Sequence, residues 1–196
     1  MHDTSTLLLE TIKIEDGEIF NLSYHQARCD ESRKALFHST DRLDLSSLIL
    51  APPKGLYRCR ILYDEKIHSV EYIPYSPKEI HTLKVITSNI IYNYKYANRE
   101  ELNTLLQKQY DSDEIIIEKE GYLTDTTIAN IAFYDGEQWF TPEKPLLKGT
   151  MRAKLLKEGF LHTRKIKKEE ISDYTHVALM NAMIGFKILN SFKIQK

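Results

Sequence analysis

Three charged side chains stand where solvent exposure is not their evident purpose, and their types could capture and polarise a small molecule. Lys95 lies in NYKYAN, an otherwise uncharged aromatic run. A partly desolvated lysine holds its proton less firmly, so its neutral amine can attack a carbonyl carbon and later move protons. Asp125 sits in TDTTIAN, on a strand pattern rather than at a turn. Arg28 shares a helical face with His25 and Ser32, and its planar fork suits a phosphate. Gly149-Thr150 leads into MRAKLLKEGF, where Met151, Leu155 and Leu156 recur at helical spacing, and N–H groups at a helix start attract phosphate. An acid and a phosphate seat within 121–152 suggest a ligand with a charged ring at one end and a phosphate at the other. Read alone, each residue also has a plainer account. Lys95 can be a surface lysine with its stem along apolar neighbours, Asp125 a turn cap, Arg28 a solvated helix residue.

The elements that must position these groups follow from periodicity. Asp135-Gly136, between Ile131, Phe133 and Trp139, Phe140, predicts a hairpin. Asp16-Gly17 predicts another, turning LLETIKIE back into EIFNL. SYHQARCDESRKALF reads as a helix with Ser23 as N-cap and Ala27, Cys29, Ala35 and Leu36 inward. Pro52-Pro53 break the pattern, and GLYRCRILY and IHSVEYIPY flank a further hairpin turn at Asp64-Glu65-Lys66. Beyond residue 80 come a strand at HTLKVITSN, a helix with Leu102, Leu105 and Leu106 inward, and a buried strand at DEIIIEKEGYL. A helix over 151–159, a strand near HTRKI and an internal strand in YTHVALMNAMIGFKIL complete the chain. The fold class is α+β, with a small subdomain over 1–80 and a larger one over 81–196 carrying Lys95.

Composition bounds the function. The 42% hydrophobic and 28% charged residues are those of an ordinary globular protein, and a net charge of −1 gives no general attraction to nucleic acid or anionic membrane. The basic run RKIKK at 164–168 reads as a solvated strand end. Two cysteines, Cys29 and Cys59, and seven scattered histidines lack disulfide-scaffold or metal spacing, so no metal is expected. No apolar run reaches membrane-spanning length and no signal-peptide pattern is present; a cytoplasmic protein is expected.

With these residues in order, the sequence resembles the class IV aminotransferases, the fold-type IV pyridoxal-phosphate enzymes. YHQAR resembles the family's His-x-x-Arg, and Lys95 is followed by Asn98-Arg99. GYLTDTTIANIAF resembles Gly-x-x-x-Glu-x-x-x-x-Asn, LLKGTMR resembles Leu-x-Gly-x-x-Arg, and Thr141-Pro142 and Asn181-Ala182 follow suit. The resemblance implies the D-amino acid aminotransferase-like architecture, here with a shortened N-terminal part, and pyridoxal 5'-phosphate (PLP) as cofactor. Lys95 would form the Schiff base and shuttle protons. Asp125 would hold the ring nitrogen protonated, with aspartate one methylene shorter than the family's glutamate. Arg28, Asn130, the Thr150 and Met151 amides, and Asn181 and Ala182 would complete the cofactor site, with His25 behind it and Arg152 supporting the loop. Asn181 is equally a plain turn residue. Arg58 and Arg60, two apart on one strand face, could read substrate carboxylates or simply be solvated, and Tyr72 and Tyr75 could line a pocket or pack. The family implies a homodimer acting on a small amine substrate. The short chain and the Lys95–Asn98–Arg99 pattern resemble the branch cleaving 4-amino-4-deoxychorismate to pyruvate and 4-aminobenzoate for folate synthesis. An amino acid transaminase and a PLP-binding protein without turnover are the alternatives.

Overall fold

The computed structural model describes residues 6–195. They form two units, one of residues up to Pro77 together with Tyr94–Asn98, the other of Lys78–Asn93 and the residues from Arg99 onward.

In the first unit, β1 (Leu8–Glu15) and β2 (Glu18–Ile19) close on Asp16 and Gly17 at φ 48° and 85°. Paired positive φ values give the turn whose twist matches that of the strands it joins. Helices α1 (Leu22–Phe37) and α2 (Leu45–Leu48) follow, then the antiparallel pair β3 (Leu56–Tyr63) and β4 (Ile67–Pro74), giving the sheet order β2-β1-β3-β4. Leu8, Ile12 and Ile14 of β1 are fully buried and cluster with Cys29 of α1 and with Cys59, Ile61 and Tyr63 of β3. Burying such an aliphatic side chain stabilises by about 1.5–3 kcal/mol.

Helix α1 departs from its sequence pattern. Its N-cap is Asn21, in the left-handed region at φ 54°, and Ser23 lies inside the first turn. Ala27 and Ala35 are exposed and Leu36 is half-buried, while His25, Gln26, Ser32 and Arg33 are buried beside Cys29. The surrounding loops supply the partners that make this tolerable. Arg33 donates to the Asp64 and Glu65 carbonyls and to Asp41, and Gln26 exchanges bonds with the Leu43 carbonyl and the Leu45 amide.

The lysine segment belongs to this unit, not to the C-terminal one as the subdomain boundary at residue 80 implied. Near its start β1 pairs on one side with β3, and on the other it binds Lys95 and its neighbours. The Leu9 amide donates to the Lys95 carbonyl at 2.9 Å, the Ala97 amide to Leu7 at 2.8 Å, and Leu8 bridges Tyr96. Strand pairing thus decides where the lysine sits.

In the second unit, β5 (Thr82–Thr87), α3 (Glu100–Gln107), β6 (Glu114–Lys119), β7 (Tyr122–Thr126), β8 (Asn130–Tyr134) and β9 (Trp139–Pro142) lead to α4 (Thr150–Lys157) and β10 (Leu161–Arg164). A 3-10 turn, β11 (His176–Asn181), β12 (Gly185–Ile188) and β13 (Lys193–Gln195) follow. The sheet runs β10-β9-β8-β7-β6-β5-β13, with β11 pairing β8 and β12. Of the three leucines expected inward on α3, Leu102 is buried and Leu105 and Leu106 are half-buried. The expected single strand in 174–189 is a hairpin instead, because the Asn181 side chain accepts from the Met183 and Ile184 amides and turns the chain. Ile116, Ile131, Phe133, Val177 and Leu179 form the core. Among the described residues no helix is long and apolar enough to cross a membrane.

Candidate functional site

Asp125 is carried by β7 and is 3% exposed. Its two oxygens are held separately: Oδ1 accepts from Asn130 Nδ2 at 2.7 Å, and Oδ2 from the Leu147 amide at 2.9 Å. Burial pushes the carboxyl up to about 6, against the pull of the Leu147 amide, the Asn130 amide and the Arg152 charge. The partners that touch it are neutral, and neutral donors compensate a buried charge only in part.

Asn130 ties this acid to the next loop, for its Nδ2 also donates to the Leu147 carbonyl at 2.8 Å. Gly149 is needed there for space. A Cβ on it would lie 2.0 Å from Asn130 Oδ1. Gly149 is also the N-cap of α4 and has no side chain with which to cap the first turn. Residues 147–150 therefore hold the acid at one end and begin the helix at the other. Arg152, on α4, donates from Nη2 to the Pro142 carbonyl, and its Nε is buried without a hydrogen-bond partner. Asn181 donates to the Ile128 carbonyl at 3.1 Å, which joins the β11–β12 turn to the β7–β8 turn. Met151 packs with Met180 and Phe186. Asp125, Asn130, Thr150, Met151, Asn181 and Ala182 are thus all set on strand ends, turns and one helix start of the second unit. The structure gives the Asn130 side chain a positioning task, clamping Asp125 and Leu147.

The first unit carries the other charged groups. Arg28 makes a bidentate pair with Glu10, Nε to Oε1 at 2.8 Å and Nη2 to Oε2 at 2.6 Å. His25 Nδ1 lies 2.5 Å from the same Oε2. Burial alone would raise Glu10, but the Arg28 charge and the His25 and Arg28 hydrogen bonds prevail and hold it down to about 2. Burial lowers His25, with Glu10 opposing and the Arg28 and Lys95 charges adding to the fall. So His25, Arg28 and Lys95 form one electrostatic neighbourhood, as the shared helix face and the β1 pairing dictate.

Arg58 and Arg60 lie on the other face of this sheet, because Thr11 and Lys13 are their partners across β1 and alternate with Glu10 and Ile12. Arg60 pairs with Glu71 at 3.1 Å, the ordinary cross-strand use of such a residue. Arg58 differs: its Nε is buried without a hydrogen-bond partner, and its charge acts on the half-buried Tyr75. Tyr72 is structural, its hydroxyl accepting from the Leu50 amide.

Sequence reading missed Glu10, Glu114 and the task of Arg99. Glu114 is fully buried and takes both the Thr127 amide and hydroxyl, while Arg99 donates to the Thr127 carbonyl at 2.7 Å. Together they hold the turn between Asp125 and Asn130. Glu10 was detectable, since it falls in phase with Leu8, Ile12 and Ile14, where an unpaired carboxylate would be untenable.

A family model described as amino-transferase class IV matches residues 7–191. The chain belongs to this family. An uncharacterized protein of Haemophilus influenzae (strain ATCC 51907 / DSM 11121 / KW20 / Rd) is 39% identical over 184 residues, spanning 91% of this chain and 98% of that one. The crystal structure of a proposed 4-amino-4-deoxychorismate lyase from Haemophilus somnus 129pt superposes with TM-score 0.86 at 37% identity, covering 93% of this chain and 99% of the other. A hypothetical aminotransferase from Mycobacterium tuberculosis in its PLP-bound form shares the fold at TM-score 0.78 and 14% identity, covering 97% of this chain and 82% of that one. The architecture is the fold-type IV one expected from the sequence, and both family and fold are those of PLP-dependent enzymes.

Proposed function

We propose that this class IV aminotransferase binds PLP and cleaves 4-amino-4-deoxychorismate to pyruvate and 4-aminobenzoate, a folate precursor. The buried, neutral-clamped Asp125, tied to the loop that leads into the glycine N-cap of α4, carries the cofactor part of this reading. The likeness to the Haemophilus somnus protein carries the substrate part.

The residues suit the group. Asp125 is the acid for the ring nitrogen, and its tie to the Leu147 amide draws the loop onto the shorter side chain. In the second unit the Thr150 and Met151 amides at the start of α4 and the 181–182 turn are groups of the kind that bind phosphate, and in the first unit the Arg28 guanidinium is another. Lys95 offers the amine for the cofactor aldehyde. Once bound, the cofactor supplies an electron sink for negative charge on a substrate carbon.

The chain's own work is positional and protonic. With the cofactor bound, an ionised Asp125 would favour the protonated ring nitrogen, and the Asn130 and Leu147 bonds stop the carboxylate rotating away. Lys95 Nζ takes a proton from substrate and returns it, acting as base and then acid. Arg58, with its buried Nε, is the better of the two β3 arginines for a substrate carboxylate, since Arg60 already has Glu71. The same reading includes a homodimer at work in the cytoplasm.

The test is product analysis with purified, PLP-loaded protein and 4-amino-4-deoxychorismate. Pyruvate and 4-aminobenzoate released in equal amounts support the lyase. Amino-group transfer to a keto acid without 4-aminobenzoate would replace it by a transaminase.

A further inference from the structure

Glu10 is a carboxylate in the middle of an apolar stripe. Leu8, Ile12 and Ile14, which share its phase on β1, are fully buried, and so is Glu10. A buried anion is tolerated only with strong partners, and here there are two. Arg28 meets both carboxylate oxygens, and His25 Nδ1 meets one of them. The adjacent residue, Leu9, holds the Lys95 carbonyl through its amide.

We propose that Glu10 is a positioning residue for phosphate capture, fixing the Arg28 fork and setting it in register with Lys95 along β1. This rests on the reading of Arg28 as a phosphate ligand. The geometry follows from the planar guanidinium. Glu10 takes the Nε–Nη2 edge, so Nη1 is directed away from the carboxylate. A bidentate pair fixes the plane and leaves little rotational freedom, so the arginine meets an incoming anion without an ordering penalty at that moment. Glu10 remains ionised at all pH values near neutrality, and the seat does not switch. Lys95 and Arg28 thus reference one short strand: residue 9 holds the lysine backbone and residue 10 the arginine head.

The test compares PLP with pyridoxal, which lacks the phosphate, by absorption titration of wild type and Glu10→Gln. The amide keeps the volume but replaces one acceptor oxygen by a donor NH₂ and removes the charge, so the two-oxygen pairing with Arg28 is lost. The expected result is a loss of PLP affinity of about tenfold or more, with pyridoxal affinity within about twofold of wild type. Equal losses for both ligands, or an unchanged PLP affinity, would overturn the proposal. Failure of wild type to bind PLP more tightly than pyridoxal would instead overturn the reading of Arg28. Should Glu10→Gln not fold, Arg28→Lys keeps the charge but not the fork. The same selective loss of PLP is expected of it, and wild-type selectivity in that variant would overturn the proposal.

Discussion

Glu10 and Asp125 are both buried carboxylates on strands, one in each unit, and their acidities move in opposite directions. Glu10 is held down to about 2 and Asp125 is pushed up to about 6. Burial acts alike on both, so the partners make the difference. Glu10 touches a guanidinium through two bonds and an imidazole through a third. Asp125 is met by the Asn130 side-chain amide and by the Leu146 and Leu147 backbone N–H groups, all neutral, with the Arg152 charge acting without a hydrogen bond. A charge-assisted partner outweighs desolvation and a neutral one does not. Glu10 is therefore a fixed anion that supports its unit. Asp125 is an acid maintained at a cost to its unit, as expected of a group kept for chemistry.

The two carboxylates should differ most in their contribution to stability. Glu10→Ala leaves Arg28 and His25 without their shared acceptor, and a loss of about 3–5 kcal/mol in urea unfolding is expected. Asp125→Asn should cost far less, because it retains an acceptor and removes a poorly compensated charge. Comparable losses for the two would abolish the distinction.

The pH dependence separates them by sign. The folded Glu10 value lies below its ordinary 4.5, so its stabilisation is present above pH 4.5 and lost as pH falls toward 2. The folded Asp125 value lies above its ordinary 3.8, so relative stability is full below that pH and lost as pH rises through about 6. Each difference is about 3 kcal/mol. Subtracting the Asp125→Asn stability curve from that of wild type should leave a fall with rising pH between 3.8 and 6. The Glu10→Gln subtraction should leave a rise between 2 and 4.5. Two curves of the same sign would contradict the account.

Smaller changes sharpen it. Gly149→Ala puts a methyl against Asn130 Oδ1 and must displace the clamp on Asp125, with an expected cost of about 1–3 kcal/mol and weaker PLP binding by titration. Arg60→Ala breaks only a cross-strand surface pair, within about 1 kcal/mol, and should leave KM unchanged. Arg58→Ala should raise KM for a carboxylate substrate. Identical kinetics in the two arginine variants would remove Arg58 from the site.

The same contrast explains what the sequence could disclose. Hairpins at Asp16-Gly17 and Asp135-Gly136 were legible because turn chemistry is local, and the acid of β7 and the glycine before α4 were legible from residue type and spacing. The inward face of α1 was not, since Arg33 and Gln26 are buried by acceptors drawn from distant loops. Nor was the unit that holds Lys95, which backbone bonds from Leu9 and Ala97 decide. Glu10 was written in the alternation of β1, but its partners on α1 had to be seen.

Lys95 is the residue proposed to hold PLP, and the visible absorption spectrum reports on that bond. Purified wild type mixed with PLP should develop the band of a lysine-bound cofactor, stable to gel filtration, and Lys95→Ala should not. A wild type without that band, or a variant that retains it, would contradict the account.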